Sequence, residues 1–287
     1  MADVLVLCYH AVSESWPADL AVRPAQLENQ LQLLLEHGYR GATFHEAVYS
    51  PPTQKVMAVT FDDAYRSVLE LGLPVLDRLE LPGTVFVPTG FAGSAEPMSW
   101  PGIDGWLGSR HEAELMGMSW SELAVLAAAG WEIGSHTRTH PWLVDLDDSD
   151  LADELVASRR ECESRLGLPC RSLAYPYGAE DHRVVRAAAE AGYSAAGTLP
   201  DSLHPSSPLR WPRIGVYRAD DGLRFRVKTS ALMLRIRANG RLRVPPTAWT
   251  VARHLRSRRH DPGDHLPLWS PSDAGFTHSS QSRRMDD

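Results

Sequence analysis

The chain has 287 residues, 43% of them hydrophobic and 23% charged, the balance of a globular protein with a core of ordinary size. No stretch has the roughly 18 uninterrupted apolar residues of a membrane-spanning helix. The net charge of −7 hides an asymmetry: residues 1–209 carry 13 Lys and Arg against 29 Asp and Glu, residues 210–260 carry 14 against 2, and the last 27 carry 2 against 5.

In chain order, VLVLCYH (Val4 to His10) is an apolar run that reads as a first strand, not as a secretory signal. Leu27, Leu31, Leu34 and Leu35 recur at helical spacing, and Gly38 is placed to stop that helix. VMAVTFDD (Val56 to Asp63) is a strand ending in two carboxylates. Val68, Leu69, Leu73, Leu76 and Leu79 predict a helix broken near Pro74. GTVFVPTG (Gly83 to Gly90) is the next strand. Residues 91–118 show no period and read as an inserted loop. A helix opens at Ser119 and Glu122, in capping-box spacing, and closes at Gly130. WEIGSH (Trp131 to His136) is a strand, Asp148 to Leu166 a helix, RSLAYPYG (Arg171 to Gly178) a strand, Asp181 to Gly192 a helix, and YSAAGTL (Tyr193 to Leu199) a strand. Leu223 to Arg243 reads as one basic amphipathic helix, and residues from about Pro262 on read as disordered. The alternation predicts an α/β fold with a parallel sheet covered by helices.

Three polar clusters fall at the C-terminal ends of predicted strands, the edge where parallel α/β folds place their sites. Asp62 and Asp63 are adjacent. In an extended chain they point to opposite sides, unless the strand bends there. Taken alone, the pair also suits a helix N-terminus. His136 and His140 are four apart, so a helical turn after WEIGSH brings both rings to one face, within reach of one ion. Two imidazoles and a carboxylate suit a catalytic zinc-type centre; a second carboxylate suits a general base. An exposed backbone N–H beside Pro176 suits an oxyanion. Trp142 and Trp211 are placed either to stack on a flat ligand face or to pack in the ordinary way.

TFDD (Thr60 to Asp63), HTRTH (His136 to His140) and AYPYG (Ala174 to Gly178) resemble, in that order, the first three motifs of the polysaccharide deacetylases, the NodB-like carbohydrate esterases. The resemblance covers roughly residues 4–216. It implies a deformed (β/α) barrel and metal-dependent removal of N-acetyl groups from amino sugars. It implies Asp62 as general base, Asp63, His136 and His140 as ligands of Zn²⁺ or another divalent ion such as Co²⁺ or Ni²⁺, and the Tyr177 N–H as an oxyanion donor. Many members hold the base with an Arg where this chain has Ala174; Arg213, in WPRIGV, is the candidate substitute. The family's late Leu-x-x-His motif is not evident. CYHAV (Cys8 to Val12) resembles a subgroup with an N-terminal Tyr-His motif, which implies His10 as the acid protonating the leaving amine.

The resulting division is a catalytic unit over 1–220, a basic, helical extension over 221–260 and a disordered tail over 261–287. The expected partner is an N-acetylated sugar or glycoconjugate. Nucleic acid is not expected, because few aromatics interleave with the arginines. The cations of 210–260 suit either an anionic inner-membrane surface or a solvated face. Three cysteines, Cys8, Cys162 and Cys170, point to free thiols and a cytoplasmic location, with peripheral membrane attachment as the alternative. The oligomeric state is not legible in the sequence.

Overall fold

The computed structural model describes residues 4–49, 54–200, 203 and 207–238. The first strand, β1 (Val4–Tyr9), is buried along almost its whole length, as an apolar run without alternation must be in a sheet covered on both faces. Two short strands, β2 (Ala11–Val12) and β3 (Ala21–Val22), pair with each other and lead into α1 (Pro24–Glu36). Pro24 opens that helix, where a missing N–H is harmless, and Gly38 follows its end at φ 82°.

A strand without an apolar run, β4 (Arg40–Ala42), precedes α2 (Phe44–Val48), which Thr43 and Glu46 cap reciprocally. All six residues of β5 (Val56–Phe61) are buried. The helical segment after it is not broken at Pro74. A π-turn over Val68–Gly72 runs directly into α3 (Leu73–Arg78), so the chain changes from π to α winding beside Pro74, whose missing N–H cannot join the helical ladder. Next come β6 (Gly83–Val87), α4 (Trp120–Ala128) with its Ser119–Glu122 capping box, and β7 (Glu132–Ser135). The long α5 (Asp148–Leu166) is capped by Asp147 and stopped by Gly167 at φ 67°. The chain continues through β8 (Ser172–Ala174), α6 (His182–Glu190), β9 (Ala195–Thr198), β10 (Trp211–Pro212) and β11 (Ile214–Gly215).

Every strand pairing is parallel, in the order β10-β9-β8-β7-β6-β5-β1-β11. β4 and β6 share one edge of β5: Val56 to Ala58 pair with β4, and Val59 to Phe61 pair with β6. The two ends of the order, β10 and β11, are separated only by Arg213. β10 pairs with β9 and β11 with β1, so the segment Trp211–Gly215 is the stave that closes the sheet into a deformed barrel. Arg213 donates its N–H to Thr198 O and Val216 donates to Cys8 O, one bond to each side of the seam.

The C-terminal region departs from the expectation of a single helix. Ser230, in extended conformation, divides it into α7 (Gly222–Thr229) and α8 (Ala231–Ala238). Nor is α7 an appended arm, because Phe225 is fully buried in the main core. Lys228 Nζ donates to Gly215 O on the seam, and Gln26 and Gln30 of α1 donate to carbonyls of 217–220. Several cations of the basic region are therefore engaged within the body: Arg210 pairs with Glu180, Arg213 with Asp62 and Lys228 with Asp220. The rest of the expected extension and the tail, from 239 on, lie outside the described residues. The three cysteines are buried, free thiols. Among the described residues no helix is long and apolar enough to cross a membrane.

Candidate active site

Asp62 continues β5 by donating its N–H to Tyr9 O, and then the chain turns. Asp63 and Ala64 both adopt left-handed backbone, at φ 69° and 52°. That bend brings the two neighbouring carboxylates to one cluster, where a straight strand would separate them. Helical structure resumes only at Arg66, so the pair does not cap a helix.

The expected helical turn at GSHTRTH does not form. Residues 136–140 are a loop with Thr137 at φ 67° and His140 at φ 62°. The loop, not helical spacing, brings the rings together, with centroids 4.8 Å apart. His136 Nδ1 lies 2.7 Å from Ala174 O, an acceptor only, so Nδ1 carries the proton and Nε2 presents its lone pair. His136 Nε2 and His140 Nε2 each lie 3.4 Å from Asp63 Oδ1. Burial pushes His140 down to about 3, so its imidazole is neutral. His136 behaves differently: burial lowers it, but Asp62 and Asp63 outweigh that and raise it, because this corner of the site favours positive charge.

Asp62 is 2% exposed and meets Arg213, which is 1% exposed. Arg213 crosses from the seam with two parallel bonds, Nη1 to Oδ1 at 2.6 Å and Nη2 to Oδ2 at 2.8 Å. Burial alone would raise the Asp62 carboxyl; the guanidinium and His136 hold it well below the usual carboxylate range. Phe86 faces the guanidinium at 5.4 Å, and the backbone of Gly197 leaves room for it. A Cβ on Gly197 would lie 2.6 Å from Arg213 Nε. The Cys8 thiol donates to Asp62 Oδ2 at 3.3 Å.

His10 follows β1. One of its ring nitrogens lies within 4.8 Å of both an Asp62 oxygen and Cys8 Sγ, and its Nδ1 is buried without a hydrogen-bond partner. Tyr177 sits in the Pro-Tyr-Gly turn at φ 60°. Its ring meets the edge of His140 at 4.7 Å and stacks on Trp142 at 4.0 Å. Trp100, from the 91–118 segment, stacks on the His140 ring at 4.2 Å. Trp211 is 5% exposed and packs in the core.

The residues fit a divalent cation. Asp63 Oδ1 is buried, has no hydrogen-bond donor and faces two imidazole nitrogens; the ligand atoms of Asp63, His136 and His140 lie within 4.8 Å of one another. One carboxylate oxygen and two imidazoles form the donor set of a three-ligand zinc-type centre with open positions. The neighbouring trio of Cys8, His10 and Asp62 is a poorer cradle, because the Arg213 guanidinium already occupies both Asp62 oxygens.

The sequence names all seven of these candidates, and the structure brings them to one rim of the barrel. The sequence does not disclose Cys8 on Asp62, Trp100 on His140, or the space left by Gly197. These contacts join residues far apart in the chain and leave no local pattern.

A nearly closed parallel barrel with an Asp-Asp-His-His cluster at the C-terminal ends of its strands defines the class. The sequence model of the polysaccharide deacetylase family matches residues 49–196, and the chain belongs to that family. Its fold is similar to that of a polysaccharide deacetylase from Bacillus cereus, BC0361 (TM-score 0.64, 24% identity, covering 78% of this chain and 68% of that one). It is also similar to Streptococcus pyogenes deacetylase PplD, solved in complex with acetate (TM-score 0.64, 22% identity, 77% and 95%). Among curated relatives, a poly-beta-1,6-N-acetyl-D-glucosamine N-deacetylase of Staphylococcus aureus is 23% identical over 171 residues, 55% of this chain and 54% of the relative. The matched stretch spans 48–64% of the length of the first curated relatives.

Proposed function

We propose that this protein is a metal-dependent hydrolase that removes N-acetyl groups from an amino sugar in a polysaccharide, oligosaccharide or lipid-linked glycoconjugate. The observation that carries the reading is the buried, donor-less Asp63 Oδ1 facing His136 and His140, with the clamped carboxylate of Asp62 beside it. Family membership and relatives named for N-acetylglucosamine polymers and chitooligosaccharides support the substrate class.

Asp63, His136 and His140 would hold Zn²⁺ or a similar ion, which polarises a carbonyl and lowers the pKa of water. Asp62 is the general base. Three of its roughly four lone-pair sites accept from Arg213 and Cys8, which leaves one to take a proton. Arg213 keeps that carboxylate ionised and fixes its plane. His10, which has a ring nitrogen within 4.8 Å of an Asp62 oxygen, donates a proton to the leaving amine, the part that the Tyr-His subgroup resemblance assigns to it. The Tyr177 N–H, in a turn whose side chain abuts His140, steadies the oxyanion.

The test combines bound metal with released acetate. Protein purified without chelator or nickel resin should carry about one divalent ion per chain, lost in His136→Ala, and should release acetate from N-acetylglucosamine oligomers. Metal with acetate released only from non-sugar amides would redirect the substrate class. Retained glycan without acetate release would mark a binding protein. Absence of metal after zinc or cobalt loading would overturn the mechanism.

The outward faces of α7 and α8 bear on location. Leu223, Val227 and Leu232 are 73%, 50% and 71% exposed and lie among the exposed Arg224, Arg226 and Arg235. That mixture supports attachment to an anionic lipid surface from the cytoplasmic side, a compartment that suits three free thiols. Co-sedimentation with anionic vesicles at low salt, reversed at high salt, is expected; no association at low salt removes the idea.

A further inference from the structure

We infer that Glu154 of α5 is a positioning residue that sets the spacing of His136 and His140. The inference rests on the reading of Asp63, His136 and His140 as a metal centre.

Thr137 and His140 hold left-handed conformations, which cost non-glycine residues on the order of 1–2 kcal/mol each. Backbone of this kind persists only where its surroundings over-determine it. Each N–H between the two imidazoles can be followed to its acceptor. Thr137 N–H donates to Ser135 Oγ at 3.0 Å, and His140 N–H to Thr137 Oγ1 at 3.2 Å. The two in between, Arg138 N–H and Thr139 N–H, both donate to Glu154 Oε2, at 2.7 and 2.9 Å. The Thr139 hydroxyl donates to Glu154 Oε1 at 2.5 Å. One carboxylate thus accepts three bonds from two consecutive residues that lie between the imidazoles.

α5 secures the entry to the loop one turn further on. Buried Ser158 accepts from Ser135 Oγ at 2.9 Å, the same hydroxyl that receives Thr137 N–H. Glu154 is not serving as an ion-pair partner for the loop, since the Arg138 guanidinium reaches Glu161 at 3.7 Å instead. Its carboxylate is aimed at the backbone. Without it, Arg138 and Thr139 lose their acceptors; Thr89 N–H and Gly90 N–H still hold the carbonyls of Thr137 and Arg138, but the His140 end of the loop loses its main restraint and its left-handed residue relaxes toward an ordinary conformation. The two Nε2 atoms would then no longer converge on Asp63.

The test is zinc affinity of the full chain after chelator stripping, by titration calorimetry with zinc chloride, alongside the visible absorption of the cobalt form. Glu154→Ala should weaken zinc binding about 10- to 100-fold, the usual cost of removing an outer partner of a metal site, and should alter the cobalt bands. Glu154→Gln should recover most of the affinity: its carbonyl accepts both N–H groups, and its NH₂ donates to the Thr139 hydroxyl. Thr139→Val, which removes a single bond, should fall between wild type and Glu154→Ala and stands in if that variant does not fold. Wild-type affinity and an unchanged cobalt spectrum in both Glu154→Ala and Thr139→Val would overturn the inference while leaving the metal centre intact. A wild-type protein that binds neither ion would instead remove the metal reading, and this inference with it.

Discussion

The two ends of the barrel treat their carboxylates in opposite ways. At the C-terminal rim, Asp62 and Asp63 are held below the ordinary carboxylate range: burial opposes ionisation, but Arg213 leads the groups that outweigh it at Asp62, and His136 leads those that outweigh it at Asp63. At the other end, Glu132 opens β7 and accepts the His45 N–H at 2.9 Å and the Thr84 hydroxyl at 3.2 Å. There burial prevails and pushes the carboxyl up, because dipoles alone do not replace a counter-charge. What separates a carboxylate held ionised from one pushed toward its neutral form in this barrel is the charge beside it, more than depth.

The strongest test of that contrast is removal of the cation. Arg213→Met should make Asp62 resemble Glu132, a partly buried carboxyl whose hydrogen-bond partners are uncharged donors. Breaking such a pair costs about 3–5 kcal/mol, so urea unfolding should show a loss of that order together with loss of acetate release. Unchanged stability would mean that Asp62 is not held by charge.

Under the proposed function, the cation beside Asp63 is a bound metal ion. Zinc at 100 times its dissociation constant should stabilise the wild type by about 2.7 kcal/mol, read as a rise in Tm, and His140→Ala should abolish the rise. An equal shift in both proteins would place the ion elsewhere.

A subtler route leaves Arg213 in place and crowds it. Gly197→Ala puts a Cβ 2.6 Å from Arg213 Nε, and overpacking of this kind costs about 1–3 kcal/mol. Denaturant midpoints should fall accordingly, and acetate release should fall by more than the stability change alone explains.

The smallest effect is expected at Glu132. Its folded pKa lies above the unfolded value, so its contribution to stability is complete below the unfolded carboxyl pKa, about 4.3, and declines as pH rises through the raised folded value. Glu132→Gln removes that decline. The variant should gain Tm over wild type at pH 7 and gain less at pH 4; a pH-independent difference would show that burial does not shift this group.

Much of the barrel was legible because its main strands are apolar runs separated by capped helices. Ser119 with Glu122, Gly38 and Gly167 punctuate the chain by local rules that need no tertiary contact. β4 escaped notice because Arg-Gly-Ala has no apolar pattern; its burial comes from sharing an edge of β5. The helical turn expected at HTRTH did not form because Glu154 and Ser135 supply acceptors that compete with helix bonds. The C-terminal helix divided where Ser230 left helical conformation, and Phe225 found a place in the core that periodicity alone could not assign.

By itself, then, the sequence determined the alternation of strand and helix, the family motifs and the placing of Asp62, Asp63, His136, His140 and Tyr177 at strand ends, because those depend on short-range pattern. Only the tertiary structure decided which cation meets which carboxylate. The partner of Asp62 stands 151 positions away, on the stave that closes the barrel, and a contact of that range exists only once the sheet has curled far enough for its two edges to meet.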